Sequence, residues 1–546
     1  MKEYLLKEIT QTLNELGFGA IEIILEKTKI VAHGDLSCNV ALQLAKNLKS
    51  NPREVANKIL QNLKLDKNKI EKIEIAGPGF INFTFTKSFI IEESKKIISN
   101  LNNFGKSDFG KNKKVNIEWV SANPTGPLHS GHGRQVVLGA TIANILEWCG
   151  FEVTREYYFN NAGNQMRMLS QSVLARYGEI CGKNFPFPEK GYNGNYIKII
   201  AKELFEKYGD KLNDNETDLT TIKKYAETWC FENIKNSLHK LKVYHDVFYN
   251  EDSLYETGKI KEVIEEFRNK NLAYDKDGAI WFKTSSLGME QDRVIVKSSG
   301  EPTYRLPDIA YHREKFRRGY DLILDIFGAD HIATIPDVIK GIEALGLDSN
   351  KMKIIIHQMV SFVEADEVVK MSKRNANVYT LDDLIEEVGT DAVHYFFVMR
   401  SANTHLEFDI ALAKKQSEQN PVYYVQYAHA RIASILRFAE SEGIENDLQK
   451  NLQSLNKLET SEEINILKTL LNFPEIISNC AKSFEPHHLT NYLKEVAEAF
   501  HSFYHANRVL NDDEELTRAR ITLCLMAKKV LANGLEILNV SAPEKM

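Results

Sequence analysis

The sequence predicts an α/β multidomain protein with a parallel sheet at its centre, an α+β domain ahead of it and an all-α bundle behind it. Three observations carry this. A strand, a Pro/Gly turn, a helix and a second strand follow one another between residues 115 and 159; a helix and a hairpin pattern precede them; and strand signals stop near residue 410. At 546 residues the chain exceeds what one hydrophobic core supports, so several domains are expected.

The first domain, 1–105, opens with a helical face of Leu5, Ile9, Leu13 and Leu16, and residues 70–86 alternate as two strands around Gly77-Pro78-Gly79. Small and polar residues at 102–110 mark its end. The second domain, 106–405, begins with the apolar strand VNIEWV, turns at Pro124-Thr125-Gly126-Pro127, and continues into a helix over 131–149 with Val137, Ile142, Ile145 and Leu146 inward. The strand FEVTREYYF then completes a βαβ unit of the Rossmann type, whose ligands lie beyond the carboxyl ends of the strands. A mostly helical insertion is expected over 165–270, after which strands at 279–283, 322–327 and 353–358 resume the sheet. In the third domain, 406–546, Val425, Ala428, Ile432, Ile435 and Leu436 recur at helical spacing.

Composition excludes several classes. Hydrophobic residues at 43% and charged residues at 26% describe a folded soluble protein. The amino terminus lacks the apolar core of a secretory signal and no run is long enough to cross a bilayer, so a cytoplasmic location without membrane partners is expected. The six cysteines show no Cys-x-x-Cys spacing, against a zinc ribbon, a redox pair or a disulfide framework, and no protein-bound metal is expected. A net charge of −6 argues against indiscriminate nucleic-acid binding.

Two motifs carry chemistry. ANPTGPLHSGHGR, 122–134, places His129 and His132 where a helix leaves a strand, so free N–H groups and the positive helix end favour a phosphate there. Gly131 and Gly133 let that ligand approach the backbone, and the imidazoles can donate to its oxygens. VVKMSKR, 368–374, supplies Lys370 and Lys373, with Met371 and Ser372 between them, as cations that can follow charge onto a leaving pyrophosphate. Together they point to ATP. A carboxylate substrate can attack the α-phosphate directly, which agrees with the absence of a Ser-His-Asp or Cys-His signature.

These residues resemble the class I aminoacyl-tRNA synthetases and, within them, the arginyl-tRNA synthetase family. The resemblance covers nearly the whole chain: AGPGFIN at 76–82 is similar to the family's tRNA-elbow domain, YVQYAHARI at 424–432 to the start of its anticodon-binding bundle, and SAPEKM to its usual ending. It implies an arginine pocket of Glu118, Ser121, Asn123, Tyr304, Asp308 and Asp330, and ATP contacts from His129, Gly131, His132, Lys370, Met371, Ser372 and Lys373. It implies that L-arginine and ATP with Mg²⁺ give arginyl-AMP and pyrophosphate, and that the terminal adenosine of tRNA(Arg) then takes the arginyl group on its 2′-OH. A monomer is expected. Two positions depart from the family pattern: Ser130 replaces a β-branched apolar residue, and Pro307 constrains the backbone between Tyr304 and Asp308.

Tyr423, Tyr424, Tyr427, His429 and Arg431 offer stacking and phosphate contacts, and about two of the five are expected to meet RNA. A synthetase for another amino acid and a non-catalytic tRNA-binding protein of the same fold remain as alternatives.

Overall fold

The computed structural model describes residues 1–19, 21–28, 30–161, 163–364, 367–368, 379–444 and 448–546. In its amino-terminal part the helix Lys2–Glu15 buries Leu5, Ile9 and Leu13 in a core shared with a four-stranded antiparallel sheet. The expected hairpin is there: Ile70–Ala76 pairs with Phe80–Phe85, and Gly77 turns the chain at φ 52°.

The central sheet has five strands, all parallel, in the spatial order Met352–His357, Leu322–Gly328, Lys114–Glu118, Glu152–Phe159, Val247–Asn250. From Lys114–Glu118 the chain builds outward first on one side and later on the other. That strand is therefore the topological switch point, the place where open α/β sheets bind ligands. Val115, Asn116, Ile117 and Glu118 are all buried, as a strand covered on both faces requires. The crossover helix Gly133–Trp148 is buried almost all round, because helices of the carboxyl-terminal bundle cover its outer side. A Cβ on Gly139 would lie 2.2 Å from the Trp119 ring, so only glycine permits this approach of helix to sheet.

Two expectations change. The helices Gly163–Cys181, Asn195–Tyr208 and Glu216–Lys240 share a core of their own, but the parallel sheet resumes at Val247, inside the stretch read as helical. Four half-buried residues, VFYN, are too few to display a period. The strand Ala279–Phe282 does not join the parallel sheet; it pairs antiparallel with Ala273–Lys276 and Arg293–Val296 in a separate three-stranded sheet. Strand propensity identifies a strand without identifying its neighbours. After the strand Leu406–Asp409, only helices occur among the described residues.

The helix Arg305–Arg317 is tied to the sheet by charge. Lys315 is fully buried, with Nζ 2.5 Å from Glu118 Oε2 and 2.6 Å from Asp325 Oδ1. His312 on the same helix places Nε2 2.9 Å from Asp325 Oδ2 and Nδ1 2.7 Å from the carbonyl oxygen of Asp308. Burial alone would raise Asp325, but Lys315 and His312 hold it well below the usual carboxylate range. Burial opposes charge on His312, yet Asp325 outweighs it and raises the imidazole. With both ring nitrogens facing acceptors, His312 is the doubly protonated cation.

Lys315→Met leaves Glu118 buried without its cation and Asp325 with His312 alone. The expected cost is about 3–5 kcal/mol, measured as a lowered unfolding midpoint of the central domain; a midpoint equal to the parent's would remove Lys315 from this role.

Candidate active site at the sheet's switch point

Beyond Glu118 the backbone enters the left-handed region twice in succession, at Val120 (φ 70°) and Ser121 (φ 47°). For a β-branched residue this conformation is costly, about 1–3 kcal/mol. Surrounding hydrogen bonds hold it. Ser121 Oγ donates to Glu118 Oε1 at 2.8 Å and accepts from the Tyr158 backbone at 3.1 Å, while the Tyr157 hydroxyl donates to the Ala122 carbonyl at 2.7 Å. Asn123 accepts from the Asn160 backbone at 3.0 Å and donates to Gln165 Oε1 at 2.9 Å. Ser121 and Asn123 are thus fixed from the carboxyl end of the adjacent strand.

His129 and His132 stack, with ring centroids 3.6 Å apart and planes 28° apart. The His129 backbone donates to His132 Nδ1 at 3.2 Å, so the proton of a neutral His132 sits on Nε2. Burial lowers both imidazoles, and with His129 and His357 nearby it takes His132 to about 3. His132 is therefore a neutral donor near pH 7, able to meet a phosphate oxygen without competing for its metal. Ser130, the departure from the family pattern, is buried, and its backbone donates to the Tyr379 carbonyl at 3.0 Å.

Lys370, Met371, Ser372 and Lys373 lie outside the described residues. The described chain that follows them is anchored to the histidine motif: Leu381 donates to the Leu128 carbonyl at 2.8 Å, and His129 bridges Thr380. Arg134, buried in the first turn of the helix behind the histidines, donates to the carbonyls of Gln358 (2.9 Å), Thr404 (2.8 Å) and Ser401 (2.8 Å). His357, at the carboxyl end of its strand, is lowered mainly by burial and shares its surroundings with His132, Asp330 and His331. Asp330 stands on the rim with its side chain 83% exposed.

The six residues expected around arginine separate into groups. Glu118 is buried and already neutralised by Lys315. Ser121 and Asn123 hold the turn. Tyr304 is 86% exposed in this conformation. Pro307 lies within the first turn of Arg305–Arg317, where it breaks no hydrogen bond, and the helix runs on undisturbed. Asp308 is different: no cation among the described residues pairs with its side chain. Burial, with Glu118 and Glu251 adding to it against His312 and Lys315, raises its carboxyl to about 7.

Glu251 was not anticipated. It follows the short strand Val247–Asn250, accepts from the Tyr158 hydroxyl at 2.7 Å and the Tyr255 hydroxyl at 3.4 Å, and is raised by burial. Among the described residues it too has no cationic partner, and it acts electrostatically on both Asp308 and Tyr158. The available signal was a carboxylate directly beyond a strand's carboxyl end, but that strand was itself hidden within a helical reading.

In the bundle, His429 is buried with Nδ1 2.9 Å from the Pro543 carbonyl, which removes it from the expected RNA contacts. Tyr423 and Tyr427 lie nearly parallel, 6.2 Å apart and 9° between planes, and exposed Arg431 lies 5.0 Å from the Tyr504 ring centre.

Comparison with known proteins agrees with this geometry. Residues 3–85 match the arginyl tRNA synthetase N terminal domain, 94–403 the catalytic domain of tRNA synthetases class I (R), and 425–546 the DALR anticodon binding domain. An arginine–tRNA ligase of Desulfotalea psychrophila is 48% identical over 97% of this chain and 95% of its own, and one of Salinibacter ruber 45% identical over the whole of both. A putative arginyl-tRNA synthetase structure from Campylobacter jejuni superposes with a TM-score of 0.77 at 33% identity, covering 84% of this chain and 100% of that one. With its βαβ switch point, histidine pair and all three domains matched, the chain belongs to the arginyl-tRNA synthetase family.

Proposed function

We propose that this arginine–tRNA ligase binds the guanidinium of L-arginine against Asp308 and Glu251. The observation that carries this reading is the pair itself: two half-buried carboxylates without a cationic partner among the described residues, next to a network whose own charges balance. A planar five-donor fork can meet both at once. Ser121 and Asn123 shape the slot, Asp330 lies on its rim, and Tyr304 closes over the bound amino acid by rotating inward. Glu118 acts by holding Ser121 and Lys315.

The arginine carboxylate attacks the α-phosphorus of ATP, which enters as its Mg²⁺ complex, and the bond to pyrophosphate breaks. His129 and His132 donate to phosphate oxygens, aided by the amino end of Gly133–Trp148 and by close backbone approach at Gly131. Lys370 and Lys373, with Met371 and Ser372, follow the leaving pyrophosphate. The terminal 2′-OH of tRNA(Arg) then attacks the arginyl carbonyl and AMP leaves. Residues 1–105 and 406–546 hold the tRNA, the latter through Tyr423, Tyr427 and Arg431. The enzyme works as a cytoplasmic monomer; among the described residues no helix is long and apolar enough to cross a membrane.

Arginine-dependent pyrophosphate exchange with tRNA present tests the pocket. Asp308→Ala is expected to reduce kcat/KM for arginine at least about 30-fold, the lower end of the cost of breaking a buried charge pair, with the KM for ATP unchanged; an unchanged arginine KM would sink the assignment.

Ionisation of Asp308 supplies a second test. A guanidinium binds the carboxylate form, so arginine affinity is full above the free-site value of about 7 and weakens as pH falls through it. Between pH 8 and pH 6 the dissociation constant should rise about tenfold by linkage, and Asp308→Asn should flatten that dependence; a flat parent profile would contradict the reading. Lys373→Ala is expected to slow single-turnover adenylate formation while arginine affinity holds, and an unaltered rate would return that segment to a structural role.

A further inference from the structure

Where the carboxyl-terminal bundle meets the catalytic domain, far in sequence from both motifs, Phe484 ends the helix Phe473–Ser483 in the left-handed conformation (φ 57°) and the next helix begins at His487. Between them the chain reads Glu485-Pro486-His487-His488. The turn gathers three donors: one atom each from Glu485, His487 and His488, all within 4.8 Å of one another, the sole group of this kind among the described residues. We propose that Glu485, His487 and His488 form a binding site for a divalent transition metal of the zinc class, on the turn of the bundle that is hydrogen-bonded to Ser401 of the catalytic domain.

Four observations support this. First, Glu485 Oε2 and His488 Nε2 are 3.3 Å apart. Two ligands on a tetrahedral zinc with bonds of 2.0–2.1 Å stand about 3.3 Å apart, so this edge of the polyhedron already has its length. Second, Nδ1 of His487 is buried with no hydrogen-bond partner, a condition that a bound ion would relieve. Third, the His487 and His488 rings lie with their centroids 4.1 Å apart, which puts the second imidazole beside the Glu485–His488 pair. Fourth, the remaining carboxylate oxygen, Oε1, accepts from Ser401 Oγ at 3.1 Å, the outer hydrogen bond that orients a ligating carboxylate.

Two imidazoles and one carboxylate are a donor set suited to zinc, cobalt or nickel and poorly suited to magnesium. A fourth position is left for water. Because the carbonyl of Ser401 accepts from Arg134, one helical turn behind the histidine pair, metal at this site would fix the loop that supports that helix. The expectation of no bound metal rested on cysteine spacing, which does not sample a set made of histidine and carboxylate.

The competing account is a plain Glu485–His488 ion pair. The full-length enzyme, stripped with chelator, is titrated with Co²⁺ and followed by the visible absorption of cobalt in a nitrogen–oxygen site, then with Zn²⁺ by calorimetry and thermal unfolding. The proposal expects one ion per chain, a rise in unfolding midpoint with Zn²⁺, and affinity at least tenfold weaker in both H488A and E485Q, with H239A, an exposed histidine elsewhere, equal to the parent. None of these residues belongs to the catalytic machinery, and circular dichroism of each variant reports folding separately. Absence of stoichiometric binding by the parent, or equal affinity in the parent, H488A and E485Q, would overturn it.

Discussion

The site depends on the placement of one buried ammonium group. Lys315 reaches from its helix to carboxylates on two neighbouring strands, Glu118 and Asp325, and fixes where that helix lies along the sheet. His312 adds a second cation to the same cluster, so two positive groups face two negative ones. This balance makes the remaining charges meaningful. Glu156, nearby, is likewise matched by Arg318, whose Nη2 is 2.8 Å from Oε1. Asp308 and Glu251 stand outside both pairings, with no ion-pair partner of their own among the described residues, and L-arginine carries cationic groups at both ends.

A second constraint joins the phosphate-binding end to the rest of the chain. The strained turn at Val120–Ser121 releases the chain from the sheet at the angle that delivers His129 and His132 to the helix start. Ser130, His129 and Leu128 are then paired with residues 379–381, and Arg134 gathers three carbonyls from segments either side of the second motif. The two motifs are 240 residues apart in the chain, yet the described residue that follows the lysine segment is hydrogen-bonded to the histidine segment. Rigid anchoring of both flanks suits a reaction in which charge moves from one phosphate to the next, since donors already in position need no reorganisation as it moves.

Much of this was legible in the sequence because the signals were local. A short Val/Ile-bearing strand, a Pro/Gly turn and a helix with histidines at its head are each written in a few adjacent residues, and all three stand where they were expected. The bundle was legible through repetition. What failed to show was pairing at a distance: Val247–Asn250 is too short to announce itself, and Ala279–Phe282 reads as a strand without naming its sheet. Lys315, in REKFRR, looks like one more solvated cation, and only the fold shows that it alone of the cluster turns fully inward. Glu118 stood out as a carboxylate but not as one whose charge Lys315 already meets, and Tyr304, expected in the pocket, has a largely exposed side chain in this conformation.

The same charge distribution accounts for selectivity without a proofreading domain. In the proposed pocket one acid, Glu251, is held by the Tyr158 and Tyr255 hydroxyls and the other, Asp308, stands apart from them, so lysine's single ammonium would leave one acid poorly paired, and citrulline would bring no charge at all. A planar guanidinium satisfies both. The ligand-free protein avoids the full repulsion because Asp308, at about 7, is partly protonated near neutrality and becomes fully ionised only when a cation arrives. In the proposed pocket, binding of the right side chain expels that proton, a cost that only a ligand whose positive charge reaches Asp308 offsets.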